Sequence, residues 1–159
     1  RACIARLRFE KGKIHEDVFF THQTFGRCRK VAKADRVGYY YLQRTESIMG
    51  KEFSLKNLDG LDGKVARAAY MEKYFPELIF VAKKGAFFFG TYCGQRLLQA
   101  GTPGEIQQGI AHIRRIQQQV ELTGKEIEQL TKKEKLWYIF ARYHLRWCCT
   151  LRNILGIGM

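Results

Sequence analysis

Three times between residues 102 and 134 a threonine stands three residues ahead of a glutamate: Thr102-Pro103-Gly104-Glu105, Thr123-Gly124-Lys125-Glu126 and Thr131-Lys132-Lys133-Glu134. The first N–H groups of a helix have no partner within it. A threonine oxygen accepts one of them, and the glutamate reaches back to the threonine's own N–H, so this spacing marks helix starts. Pro103 suits the first helical position and Gly101 ends whatever precedes it. After the first start, Ile106, Ile110, Ile113, Ile116 and Val120 recur every three or four residues, with glutamines, Arg114 and Arg115 on the other side. That is an amphipathic helix. Thr123-Gly124 restarts a short one, and Thr131 opens a last helix from Lys132 to about Leu155. The second half of the chain is thereby committed to helices.

Upstream, the pattern is helical from Lys64 to Tyr74, is interrupted by Pro76, and resumes from Glu77 to about Gln99. The tract Asn57-Leu58-Asp59-Gly60-Leu61-Asp62-Gly63 is turn chemistry and marks a boundary. Two regions follow: residues 1–60, an irregular extension punctuated by Gly12, Gly26, Gly38, Gly50 and Gly60, and residues 61–159, a helical region.

The last helix is apolar and aromatic almost all round, from Leu136, Trp137 and Tyr138 to Ile154 and Leu155, with Arg142, His144, Arg146 and Arg152 set into it. About 20 residues can cross a hydrocarbon core. The segment therefore reads as a membrane helix whose charged face, with Arg142 and Arg146 one turn apart, meets a partner, a headgroup or water. Lys83 and Lys84 cost about 3 kcal/mol each at a bilayer centre, so the helix over 77–99 reads as interfacial or protein-covered. The expected fold class is all-α: amphipathic interfacial helices followed by a C-terminal membrane helix, not an independent globular core.

The formal net charge is +13, which attracts a polyanion: nucleic acid or an anionic lipid surface. Arg1, Arg6 and Arg8, ahead of Glu10, resemble the edge of a mitochondrial targeting segment. Five cysteines, Cys3, Cys28, Cys93, Cys148 and Cys149, have no regular spacing and read as free thiols in a reducing compartment. His15, His22 and Cys28 match no standard zinc spacing. The chain carries no phosphate-binding loop, dinucleotide fingerprint or nucleophile-elbow motif. It is read as non-enzymatic, with no cofactor and no metal. Tyr39 to Tyr41 and Phe87 to Phe89 read as packing or interfacial anchors.

The order of features after residue 64 resembles subunit g of the mitochondrial F-type ATP synthase. Thr102-Pro103-Gly104-Glu105-Ile106 opens an amphipathic helix that carries Ile113-Arg114-Arg115-Ile116. Thr123-Gly124 follows, then Leu130-Thr131-Lys132-Lys133-Glu134, an aromatic helix, and Arg152-Asn153-Ile154-Leu155-Gly156. The resemblance implies a non-catalytic subunit of the membrane (Fo) sector at the mitochondrial inner membrane. It implies support for dimerisation and membrane curvature, with subunit e and peripheral-stalk subunits as partners, anionic lipid beneath, and no nucleic acid. Arg142, Arg146 and Arg152 become candidate ligands for cardiolipin-type phosphates. The family's last helix carries a glycine pair four residues apart, where this chain has Arg146 and Thr150. Gly90 and Gly94, in the preceding helix, have that spacing and are the candidate helix-packing pair. Two rival readings use the same charge: a mitochondrial ribosomal or RNA-binding protein, and an accessory subunit of another inner-membrane respiratory complex.

Overall fold

The computed structural model describes residues 4–40, 42 and 53–158. Arg1, Cys3, Tyr41 and Gly50 lie outside the described residues. Among the described residues all regular structure is helical: α1 (Glu16–Gly26), α2 (Asp59–Tyr74), α3 (Ile79–Ala100), α4 (Pro103–Gln119), α5 (Gly124–Glu128) and α6 (Lys132–Ile154). Single 3₁₀ turns, Leu55–Leu58 and Pro76–Leu78, lead into α2 and α3.

All three threonine starts are formed. The Glu105, Glu126 and Glu134 carboxylates accept from the N–H of Thr102, Thr123 and Thr131 at 2.9, 2.7 and 2.9 Å. Each threonine oxygen accepts in return from the glutamate's N–H. Gly101 closes α3, its N–H donating to the Leu97 carbonyl at 2.8 Å.

Helix α3 is central, packed against α2, α4 and α6, while α1 lies on α2. The sequence reading denied the chain a core of its own, and here the structure differs. Leu61 of α2, Phe87 and Leu97 of α3, Ile113 of α4 and Tyr138 and Leu145 of α6 are fully buried together. The apolar side chains taken as lipid-facing divide instead. One face of α6, with Tyr138, Ala141, Leu145, Cys148 and Cys149, points into the protein.

No helix among the described residues is long and apolar enough to cross a membrane. In α6 the reason is visible. Its 23 residues include Lys132, Lys133, Glu134, Lys135, Arg142, Arg146 and Arg152, and the helix is broken at His144 (φ −133°, ψ 52°). Lys83 and Lys84 of α3 are half-buried and paired within the protein: they face Glu126 at 3.8 Å and Glu134 at 3.1 Å.

The glycines explain how the helices approach so closely. A Cβ on Gly90 would lie 3.2 Å from Ile113 Cγ2 of α4, and one on Gly94 would lie 2.7 Å from Cys149 Sγ of α6. Both are helix-packing glycines, and the helices they admit belong to this chain. The turn expected over 57–63 is mostly the opening of α2. Gly63 sits inside that helix because a Cβ there would meet Val18 Cγ1 of α1 at 2.9 Å.

The segment ahead of α1 is pinned by charge. Lys13 Nζ lies 2.7 Å from Asp59 Oδ1 and 2.8 Å from Asp62 Oδ2. Asp62 Oδ1 also meets His112 Nε2 of α4 at 2.8 Å. Lys56 Nζ and the Ile14 N–H hold Asp59 Oδ2 at 2.8 and 3.1 Å. Hydrogen bonds to the two carboxylates push the Lys13 ammonium up to about 12. Burial opposes ionisation of Asp59, but its hydrogen bonds from Lys13, Lys56 and Ile14 outweigh that and hold its carboxyl below the usual range.

Two predictions follow from this packing. Gly94→Ala gains at most about 1 kcal/mol of helix propensity but overpacks a buried contact, which costs about 1–3 kcal/mol. The expected net effect in urea unfolding is destabilisation, and adding Cys149→Ala, which removes the sulfur that the new methyl meets, recovers most of it. An additive double mutant would refute the contact. Asp59→Asn is expected to destabilise by about 1.5–3 kcal/mol at pH 7, the range for hydrogen bonds to a charged group. Because the folded carboxyl titrates below the ordinary 3.8, that deficit is complete above this value. It shrinks as pH falls further through the depressed folded value, which unfolding curves across pH 2–7 check.

Candidate anion-binding face

Large apolar side chains stand exposed along α6 on both sides of the break at His144, interspersed with exposed Arg142 and Arg146. Leu136, Ile139, Tyr143, Trp147 and Ile154 are 64%, 50%, 61%, 71% and 76% exposed, and they follow one another at helical spacing. Single exposed apolar residues are ordinary, but a row of them along one helix suits an interaction surface. The ridge exists because α6 carries apolar residues on two faces while the core takes only one.

Beside the ridge runs a groove of about 880 Å³ between α4 and α6. Pro103, Ile106, Gln107, Ile110, Arg114, Arg115 and Gln118 of α4 line it together with Arg146 of α6. A narrower hollow of about 350 Å³ shares Arg114 and Gln118 and is completed by Glu121, Arg142 and Tyr143. Arg115 and Arg146 come from different helices, and their convergence is tertiary. The capping box at Thr102 and the buried Ile113 and Ile116 stripe of α4 fix which way its arginines point. Leu145 and Cys148, buried on the opposite side of α6, turn Arg146 outward.

The electrostatics of these arginines differ. Arg142 forms an ion pair with Glu121 and lies 5.3 Å from the Tyr143 ring centre, so its charge is largely answered within the protein. Arg152 is also engaged. Its Nε donates to Gln95 Oε1 at 2.9 Å and its guanidinium stacks 5.1 Å from the Trp137 ring centre. Gln95, itself buried, donates to Asn153 Oδ1 and the Ile157 carbonyl, and Asn153 returns a bond to the Gln95 carbonyl. This clasp fastens the end of α6 to α3 and lies apart from the groove. Arg114, Arg115 and Arg146 have no carboxylate within 4.0 Å among the described residues. Three uncompensated guanidiniums around one groove raise the local potential, and their planar forks suit two-point bonding to phosphate or carboxylate oxygens.

Of the three arginines the sequence singled out, the structure brings only Arg146 to the open, cationic groove. Arg114 and Arg115, taken from sequence as the polar side of an amphipathic helix, complete it. Their adjacency within Ile113-Arg114-Arg115-Ile116 was visible, but their partner on α6 was not.

The buried thiols offer no reactive group. Burial pushes Cys93 and Cys149 up to about 12, so both are protonated at neutral pH. Among the described residues no three His, Cys, Asp or Glu side chains stand together as a metal site would require.

Three arginines without carboxylate partners thus stand near exposed apolar side chains of α6. Arg115→Gln with Arg146→Gln is expected to weaken binding to vesicles containing anionic phospholipid. At about 1 kcal/mol per basic residue the loss is about thirtyfold. Binding to purely zwitterionic vesicles should be unchanged. Sedimentation with vesicles at low and high salt measures it, and equal losses on both vesicle types would contradict an electrostatic role. Compared with protein-family models, curated proteins and solved structures, the chain matches none.

Proposed function

We propose that this chain is a non-catalytic structural subunit of the mitochondrial ATP synthase membrane sector, resting on the anionic surface of the inner membrane through α6. The observation that carries the reading is the α6 ridge, Leu136 to Ile154, running beside Arg114, Arg115 and Arg146. An apolar strip bordered by arginines lies in the plane of a lipid interface, its aromatic side chains at headgroup depth and its guanidiniums on phosphates. The ordered motifs from Thr102 to Gly156 supply the choice of complex. On this reading the chain contributes to dimerisation and membrane curvature beside subunit e and the peripheral stalk, with cardiolipin the lipid best matched to paired guanidiniums.

The reading differs from a spanning subunit in one respect. The inner half of α6 completes the protein's own core, so α6 lies on the bilayer, or against a membrane-embedded partner, as part of a folded unit. Gly90 and Gly94 are occupied within the chain, and contact with subunit e falls to the α6 ridge. The same ridge argues against the RNA-binding alternative, which would use a basic face and leave five large apolar side chains in water.

The experiment replaces Ile139, Tyr143 and Trp147 together by glutamine or serine, which leaves the buried face of α6 intact, where deleting α6 would remove part of the core. In mitochondria carrying this variant, native gels are expected to show ATP synthase dimers reduced by more than half while the catalytic head still hydrolyses ATP. Wild-type chain should copurify in mild detergent with ATP synthase subunits in near-equal amounts. Copurification with ribosomes or with a respiratory complex instead would replace this reading with one of its rivals.

A further inference from the structure

A second cavity lies on the opposite part of the fold, between α1 and α2, away from the α4–α6 groove. Its volume is about 600 Å³, inside the range of about 300–1,000 Å³ typical of small-molecule sites. The walls are mainly apolar, with Val18 and Phe25 from α1, Met71 from α2, and Phe75 beyond it. Two cations, Lys64 and Arg67, one turn apart on α2, are among its lining residues. Neither has a carboxylate within ion-pairing distance among the described residues. The half-buried Lys64 ammonium sits 4.7 Å over the Phe89 ring, and the Arg67 guanidinium lies against Gly85 of α3.

Burial, then the neighbouring Arg67 charge, lowers the Lys64 pKa below its ordinary value, which is the mark of a cation held without a counter-ion. One carboxylate, Asp17, also lines the wall, beyond ion-pairing reach of both cations. His22 is buried there with Nδ1 3.1 Å from the Val18 carbonyl, and burial followed by the Arg67 charge lowers its pKa, which favours the neutral ring. The lining therefore carries a net charge of +1 beside apolar walls, with neither cation paired to a carboxylate among the described residues.

We propose that this cavity binds a medium-chain monocarboxylate, its chain among Val18, Phe25, Met71 and Phe75 and its head between Lys64 and Arg67. The head supplies the one missing negative charge and answers both cations, and the chain removes apolar wall from water. A neutral molecule of the same length gains only the second effect. The site is independent of the membrane-facing reading, since its residues lie on other helices.

The test is calorimetric titration of the full chain with laurate below its micellar concentration, with lauramide as the neutral counterpart. Laurate is expected to bind at least tenfold more tightly than lauramide. Lys64→Gln and Arg67→Gln should each weaken laurate about tenfold, a charged hydrogen bond's worth, and leave lauramide unchanged. Met71→Trp, which fills the chamber, should abolish binding of both. Thr21→Trp, from the exposed wall of α1, serves the same purpose if Met71→Trp does not fold. Arg115→Gln with Arg146→Gln should leave laurate binding intact, which separates this cavity from the α4–α6 groove. Equal affinity for laurate and lauramide, binding that survives both tryptophan variants, or no binding of laurate at all would each overturn the proposal.

Discussion

Helix α3 touches α2, α4 and α6 at once, and it does so because two of its residues have no side chain. Gly90 and Gly94 are one turn apart. The first receives Ile113 of α4 and the second receives Cys149 of α6. Between them Thr91 is buried, its hydroxyl accepting from Gln117 at 3.2 Å and its carbonyl accepting the Cys149 thiol at 3.4 Å. The close approach thus brings polar groups into the interior already paired, and no buried side-chain nitrogen or oxygen among the described residues lacks a partner. Small residues are often taken as a sign of contact between chains in a membrane. Here they have been used to assemble a core within one chain.

That packing decides the orientation of everything outside it. Once Cys148 and Cys149 are drawn against α3, Trp147 and Arg146 must face away. Once Ile113 fills the space over Gly90, Arg114 and Arg115 are turned to the edge of α4. The cationic groove and the exposed apolar row are therefore the outer consequence of the inner fit. The charge network around Asp59 and Asp62 plays the same part at the other end, tying the segment ahead of α1, the start of α2 and His112 of α4 into one frame.

Local chemistry was well written in the sequence. The three threonine–glutamate pairs place helix starts at Pro103, Gly124 and Lys132, and the isoleucine stripe of α4 names its buried face, because both signals act within a few residues. Tertiary choice was not legible in the same way. Gly60 and Gly63 look like turn residues, since a glycine used for close packing and one used for a bend are the same letter. Helix α1 (Glu16–Gly26) has no cap side chain and a weakly patterned face, and it forms by packing on α2. The apolar residues of α6 outnumber what one face needs, so the pattern pointed to a membrane helix with one charged face sheltered. Only the partner helices show that half of them are spoken for. Of the candidate arginines, Arg142 and Arg152 look like Arg146 in sequence, and it is Glu121 and Gln95, 21 and 57 positions away, that remove them from the site.

Magnitudes separate the roles of the ridge and the groove. A large apolar side chain taken wholly out of water contributes about 1.5–3 kcal/mol. Five such side chains, sunk only half-way into an interface, still supply roughly 4–7 kcal/mol on that scale. Three arginines at about 1 kcal/mol each add roughly half as much, and salt erodes their share within a Debye length of about 8 Å. On the proposed reading the ridge therefore provides most of the attachment, and the arginines provide its selectivity for anionic lipid and its register along the surface. The division also accounts for why Arg142 can be surrendered to Glu121. Anchoring does not require every charge, but Arg114, Arg115 and Arg146 must stay open if the surface is to distinguish one membrane from another.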